Sequence, residues 1–216
     1  MSDTPRPGGD ELRTTVEVLH GVVEHVLAGP QHRASGTIRL RVTPGAIGTV
    51  RDPAVRLLGD RVVGPAGEAP LDGSLSLADV GRRVGVEPGV PDGVYTDHAA
   101  VGSDDPARVD AGISVAVLEW FAVGAAALVT FAPESEAVLW PEHFDLAVTV
   151  DGVNYGVSPG DGFSAAPYAY VGPHSPVDDT FFDAPFGAAR TWDQVPDVAG
   201  VAAFFADGRG RVHPTG

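Results

Sequence analysis

The sequence predicts an α+β protein, an antiparallel sheet with helices packed on it. Three observations carry that expectation. Short runs alternate apolar and polar residues at period two and are joined by turns rich in Gly, Pro and Asp. Longer segments repeat apolar residues at steps of three and four behind a residue suited to capping. The order helix, strands, helix occurs twice, and TIRLRVTPG loosely echoes LAVTVDG, which points to a duplicated α-β-β-β-α unit. The expected layout is one compact domain over 10–207, with pseudo-repeats 10–86 and 110–207, a connecting loop 87–109, and loose tails at 1–9 and 208–216.

Asp10 is placed to cap a helix over 10–28, whose stripe is Leu12, Val16, Leu19, Val23, Val26 and Leu27. Gly29-Pro30 is expected to end it. His20 sits at the edge of the stripe and His25 off it, so one is expected to pack at the rim and the other to face water. Strands are expected at 37–43, returning over 46–50 after Pro44-Gly45, and in a hairpin over 57–63 around Gly59-Asp60, with a turn at 64–67. Arg39 and Arg41 read as a solvated strand face. Ser76 with Asp79 opens a short helix to Val84. Residues 85–108 read as a long loop in which Asp97, His98, Asp104 and Asp105 are solvated. Asp110 caps a helix to Leu128 that is apolar nearly all round, the pattern of a helix inside a core. The hairpin 144–157 follows, then a short strand at 168–171, an irregular segment 172–190, a turn at 191–194 and a helix over 198–206.

The composition excludes several kinds of chemistry. The 216 residues include no cysteine, which removes disulfides, thiolate nucleophiles and thiolate metal sites. They include no lysine either, all 14 basic residues being arginine, so Schiff-base chemistry and a P-loop lysine are absent. A formal net charge of −15 with no basic stretch makes nucleic acid and anionic membrane surfaces poor partners. The polar, Pro/Gly-rich start lacks the apolar core of a signal peptide, and Glu119 interrupts the longest apolar run, so the expected location is the cytoplasm.

The densest set of reactive groups is WPEHFDLAVTVDGVNYGVSPGD, residues 140–161. Period two places Phe144, Leu146, Val148 and Val150 on one face and His143, Asp145, Ala147 and Thr149 on the other, with Asp151-Gly152 as the hairpin turn. The run LWPEHFDLAV, then NYGVSPGD, PYAYVGP and FFDAPFGA, resembles a family of uncharacterised proteins common in actinobacteria, and more faintly a broader domain family of unknown function with a similar FDLAV strand. The likeness extends to LHGVVEHVLA and TIRLRVTPG. It implies a soluble bacterial protein and carries no known activity.

A small-molecule pocket is the expected use of this stretch. His143 would exchange protons, because its ordinary pKa lies nearest neutrality, with Asp145 and Glu142 beside it as the other catalytic candidates. Trp140, Tyr155, Asp161, Tyr168 and Tyr170 would bind the ligand. His143-x-Asp145 also has the spacing of a two-histidine-one-carboxylate iron site, for which His174 and His213 are the downstream histidines. A non-catalytic interaction protein is a third reading, with Phe181, Phe182 and Phe186 as a contact patch. Turn-making and local hydrogen bonding would account for the same polar residues without any ligand. Cofactor, bound metal and assembly of copies stay open.

Overall fold

The computed structural model describes residues 9–213. Its first helical rod has three parts. The helix α1 (Asp10–Val22) passes into a π-helical segment (Val23–Ala28), which passes into α2 (Gly29–Ser35). The helix does not stop at Gly29-Pro30. A proline inside a helix lacks a donor and crowds the carbonyl four residues back, and the wider π turn just before Pro30 accommodates both. The rod ends instead at Gly36, left-handed at φ 74°, whose N–H caps the His32 carbonyl. All six residues of the π segment are buried.

A meander follows: β1 (Leu40–Thr43), β2 (Ala46–Thr49), β3 (Arg56–Leu58), β4 (Arg61–Gly64) and β5 (Gly67–Pro70). Then come β6 (Asp72–Ser76), α3 (Leu77–Val84), a long loop and β7 (Pro106–Arg108), which pairs with β6. The second half runs α4 (Ala111–Phe131), β8 (Val138–Trp140), β9 (Asp145–Val150), β10 (Val153–Ser158), β11 (Tyr168–Pro173), β12 (Ala188–Thr191) and α5 (Val198–Val212). The α+β class is as expected, and each half is helix, meander, helix. Each meander has five strands rather than three: the 57–63 hairpin supplies two in the first half, 138–140 adds a joining strand in the second, and 67–70 and 188–191 pair as edge strands. Residues 208–212, expected to fray, continue α5, and the expected tails otherwise lie outside the described residues except Gly9 and His213.

The ten strands form one antiparallel sheet in the order β12-β11-β10-β9-β8-β1-β2-β3-β4-β5. The two meanders meet where β1 pairs with β8, at Leu40 opposite Leu139. Register continues an apolar row from there: Leu139 faces Leu146, Leu146 faces Val157 and Val157 faces Ala169. On the other side Val42 faces Ile47, Ile47 faces Leu57 and Leu57 faces Val62. The helices cover this face, and α4 packs on β1, β9 and β10, so it lies across the junction. By length and composition α4 could cross a membrane; here its core side carries Trp120, Phe121 and Leu128 against the sheet and α5.

At Gly124 α4 approaches β10 so closely that an added Cβ would stand 2.3 Å from Val157 Cγ2. Alanine favours helix over glycine by about 1 kcal/mol, but overpacking at such a contact costs about 1–3 kcal/mol. Gly124→Ala is therefore expected to lower stability in urea denaturation, and adding Val157→Ala to return part of the loss; a Gly124→Ala protein more stable than its parent would contradict this packing.

Candidate functional site

The hairpin of β9 and β10 turns at Asp151 (φ 51°) and Gly152 (φ 76°), both left-handed as a two-residue hairpin turn requires. Register puts Leu146, Val148, Val153, Tyr155 and Val157 toward the helices. The opposite face carries Asp145, Ala147, Gly156, Ser158, Tyr168 and Tyr170, since Gly156 pairs with both Ala147 and Tyr170 and Ser158 pairs with Tyr168. The Tyr170 ring crosses directly over Gly156, whose added Cβ would meet its Cζ and hydroxyl at 2.6 Å. That crossing brings the Tyr170 hydroxyl to Asp145 Oδ2, to which it donates. Beside it the Tyr168 hydroxyl donates to Asp161 Oδ2 at 2.6 Å, and Asp161 Oδ1 accepts from the Phe163 and Ser164 amides.

Asp145, Ser158, Asp161, Tyr168 and Tyr170 line one end of a groove of about 940 Å³. The groove continues past the β8–β9 loop, where Glu142, His143 and Phe144 lie, to α1 and to Asp97 and His98 of the loop between α3 and β7. At that end His20 donates from Nε2 to the Pro141 carbonyl at 2.6 Å, which fixes its tautomer, and stacks on Phe144 with centroids 5.4 Å apart. Burial holds the His20 pKa below its ordinary value, against the pull of Glu24.

Deeper at the same end is a carboxylate–imidazole pair. Glu24 is 0% exposed. Its Oε1 accepts from His98 Nδ1 at 3.0 Å and its Oε2 from the Ala99 amide at 2.7 Å. The Tyr95 ring lies 5.0 Å from the His98 ring, and burial, then Glu24, pushes the Tyr95 hydroxyl well above its usual pKa. The segment carrying His98 is held to the helical rod by the Gly89 amide on the His25 carbonyl, 2.9 Å. With Nδ1 engaged, His98 keeps Nε2 free of partners among the described residues while its ring lines the groove. A buried carboxylate that fixes an imidazole tautomer leaves a bare basic nitrogen on the far side.

Asp145 is a second titratable group on the groove wall. It is 8% exposed, and Oδ1 is buried without a hydrogen-bond partner. Burial raises its pKa to about 6, with the Tyr170 hydrogen bond and the His143 charge acting the other way. Tyr170 in turn is raised well above its usual value by burial and by the Asp145 charge.

The sequence-predicted residues separate into three groups. Asp145, Asp161, Tyr168 and Tyr170 converge as expected. Glu142 and His143 line the groove but stand off from Asp145: His143 is 65% exposed at its side chain, with Nε2 3.5 Å from Glu142 Oε1. The expected strand face of His143 and Asp145 is broken because Phe144 is left-handed, φ 48°, in the β8–β9 turn; its ring is driven into the core against Phe121. Tyr155 and Trp140 are outside the groove. Tyr155 shares the face of Val148, so it packs 4.4 Å from Phe131 and 5.9 Å from Phe205, and burial pushes its hydroxyl up to about 12. Trp140 pairs with Asp145 across the sheet and is half-buried.

Glu24 was not singled out by sequence, while His20 was read as a residue at the edge of the helix stripe and His98 as a solvated loop residue rather than as groove residues. Glu24 left one signal, a carboxylate inside the apolar run GVVEHVLAG. Among the described residues no group of three or more His, Asp or Glu is placed to hold a metal ion. The fold and groove thus define an α+β protein with a large cavity, lined by apolar, aromatic and charged side chains, that runs from the open face of β9–β11 past the β8–β9 loop to α1. No protein-family model matches this chain, and no match is found among curated proteins or solved structures.

Two expectations follow from the geometry. The folded pKa of Asp145, about 6, exceeds its ordinary 3.8, so the folded state holds the proton more tightly than the unfolded chain. Its contribution is fully present below the unfolded pKa and is lost as pH rises through the folded one, a loss of about 3 kcal/mol. Asp145→Asn should therefore gain on the order of 1–3 kcal/mol over the parent in denaturation near pH ~8 and almost nothing near pH ~4; equal gains at both would disprove the buried charge. His143→Ala, at an exposed position, should change stability by less than about 0.5 kcal/mol, measured the same way.

Proposed function

We propose that this protein binds a small molecule in the groove and acts on it, or holds it, through acid–base groups. His98, fixed by Glu24, is the proton acceptor, and Asp145, hydrogen-bonded by Tyr170, is the group able to carry a proton near neutrality. Glu142 and His143 stand at the rim and set the field at Asp145. The observation that carries this reading is the fully buried Glu24 carboxylate holding His98 at 3.0 Å on the wall of the same groove that Asp145 lines. A large concave site with convergent polar groups and perturbed carboxyls is the usual form of a ligand site. Burying a carboxylate is costly unless it is paired and hydrogen-bonded, and here the partner that meets this need is an imidazole that also lines the groove.

The test has two parts. Nitrogen NMR of the histidine rings should show His98 with its proton on Nδ1 and a bare Nε2, and Glu24→Gln should abolish that preference. Screening a library of polar small molecules by amide shift changes should give binders that perturb Ala99, His143 and Gly156 together. A His98 proton resting on Nε2 would remove the acceptor, and a library without any groove binder would remove the small-molecule reading.

A further inference from the structure

The groove is lopsided in charge. Its carboxylates are Glu17, Asp97, Glu142, Asp145 and Asp161. The one arginine lining it among the described residues, Arg13, is held by Glu17 at 2.9 Å and lies 3.7 Å from Asp10. The chain has no lysine to supply another cation. An anion entering would face these five carboxylates with Arg13 already paired, and only the imidazoles of His20, His98, His143 and His174 on the wall to receive it.

The sheet end of the groove is also aromatic. Phe186, Tyr168 and Tyr170 line it, with Tyr168 and Tyr170 6.2 Å and 6.1 Å from Phe186, and Phe163 beside the groove meets Phe186 edge to face at 4.9 Å. Phe163 and Phe186 are 47% and 37% exposed, two of the few large apolar side chains left in water. Both tyrosine hydroxyls donate to carboxylates, Tyr168 to Asp161 and Tyr170 to Asp145. A phenol that donates to an anion is polarised so that its ring face becomes more negative. The same bonds use up the hydroxyl donors that a carboxylate or phosphate ligand would need. At the Tyr170 hydroxyl, Asp145 is more than nine-tenths buried, lines the groove, and keeps Oδ1 without a partner. Unpartnered buried acceptors are rare, and this one calls for a donor or a positive charge.

Resting on the small-molecule reading above, we propose that this end of the groove binds an organic ammonium, a cationic nitrogen on an apolar body, over the Tyr168 and Tyr170 rings with Asp145 as its counter-charge. The ring faces attract the cation, and a site partly shielded from water strengthens that attraction. The apolar body covers Phe163 and Phe186, which the fold leaves bare. A neutral molecule could cover the rings but would leave the Asp145 charge unmatched.

The full-length protein is titrated near neutral pH with phenethylammonium, 2-phenylethanol and 3-phenylpropionate, one shape in three charge states, following the Gly156, Tyr168 and Tyr170 amides by NMR. The ammonium should bind about tenfold tighter than the alcohol, with the carboxylate weakest. Asp145→Asn, which is expected to fold at least as well as the parent, should erase that advantage and leave the alcohol unchanged. Tyr168→Leu should weaken the ammonium more than Tyr168→Phe does. Equal or tighter binding of the alcohol or the carboxylate overturns the ammonium inference and leaves the small-molecule reading standing. Binding of none of the three also overturns it, whereas the small-molecule reading falls only with an empty library screen.

Discussion

The junction between β1 and β8 is the constraint on which the rest of the structure depends. Two five-stranded meanders, each of which could have stayed a separate small sheet, are joined there through Leu40 and Leu139. One strand pairing is a weak tie, and a two-layer domain needs its apolar sheet face covered. The helix α4 meets both needs, because it is apolar nearly all round and packs on β1, β9 and β10 at once. Its glycine at 124 lets it approach β10 closely enough to make that cover tight. With the helices committed to one face, the other face of β9–β11 is left to polar and aromatic side chains, and the groove is built from them.

The groove owes its chemistry to two irregularities of backbone. At one end the helical rod widens into a π segment that carries Glu24 into the core, where it meets His98 and Ala99. At the other end the left-handed Phe144 closes the β8–β9 turn and pins it with a ring inside the core, while Pro141 is held by His20. Departures of this kind cluster where a protein uses its side chains, since regular structure alone does not aim them. The raised pKa of Asp145 fits the same pattern: a charge kept where it costs stability at neutral pH.

Local periodicity made part of this legible. The alternation from Leu146 to Val150, the Asp151-Gly152 turn and the return to Val157 are set by neighbours one or two residues away, so the face bearing Asp145 could be assigned from the chain alone. The same alternation places Tyr155 in the core, opposite Asp145, and its inclusion in a pocket with Asp145 was inconsistent with that register. His143 was misplaced because a single left-handed residue, Phe144, ended the strand, and a phenylalanine gives no sign of that conformation. The Glu24–His98 pair spans 74 residues and joins a helix to an irregular loop, so no period or spacing encodes it. The edge strands at 67–70 and 188–191 and the joining strand at 138–140 are short and weakly patterned, and they form because a neighbouring strand offers them partners.

The groove draws its walls from both halves of the molecule. The first half supplies α1, the second supplies β9 to β11, and the loop connecting the halves supplies His98. A molecule long enough to span the groove would touch all three and act as a clasp across the junction. Because it binds the joined state and has nothing to hold in the separated one, it deepens the folded state by RT ln(1 + [L]/Kd), about 2.7 kcal/mol at a hundredfold excess over Kd. Cohesion of the two halves and occupancy of the cavity would thus be linked, and the melting temperature of the sheet would rise with what the cavity holds.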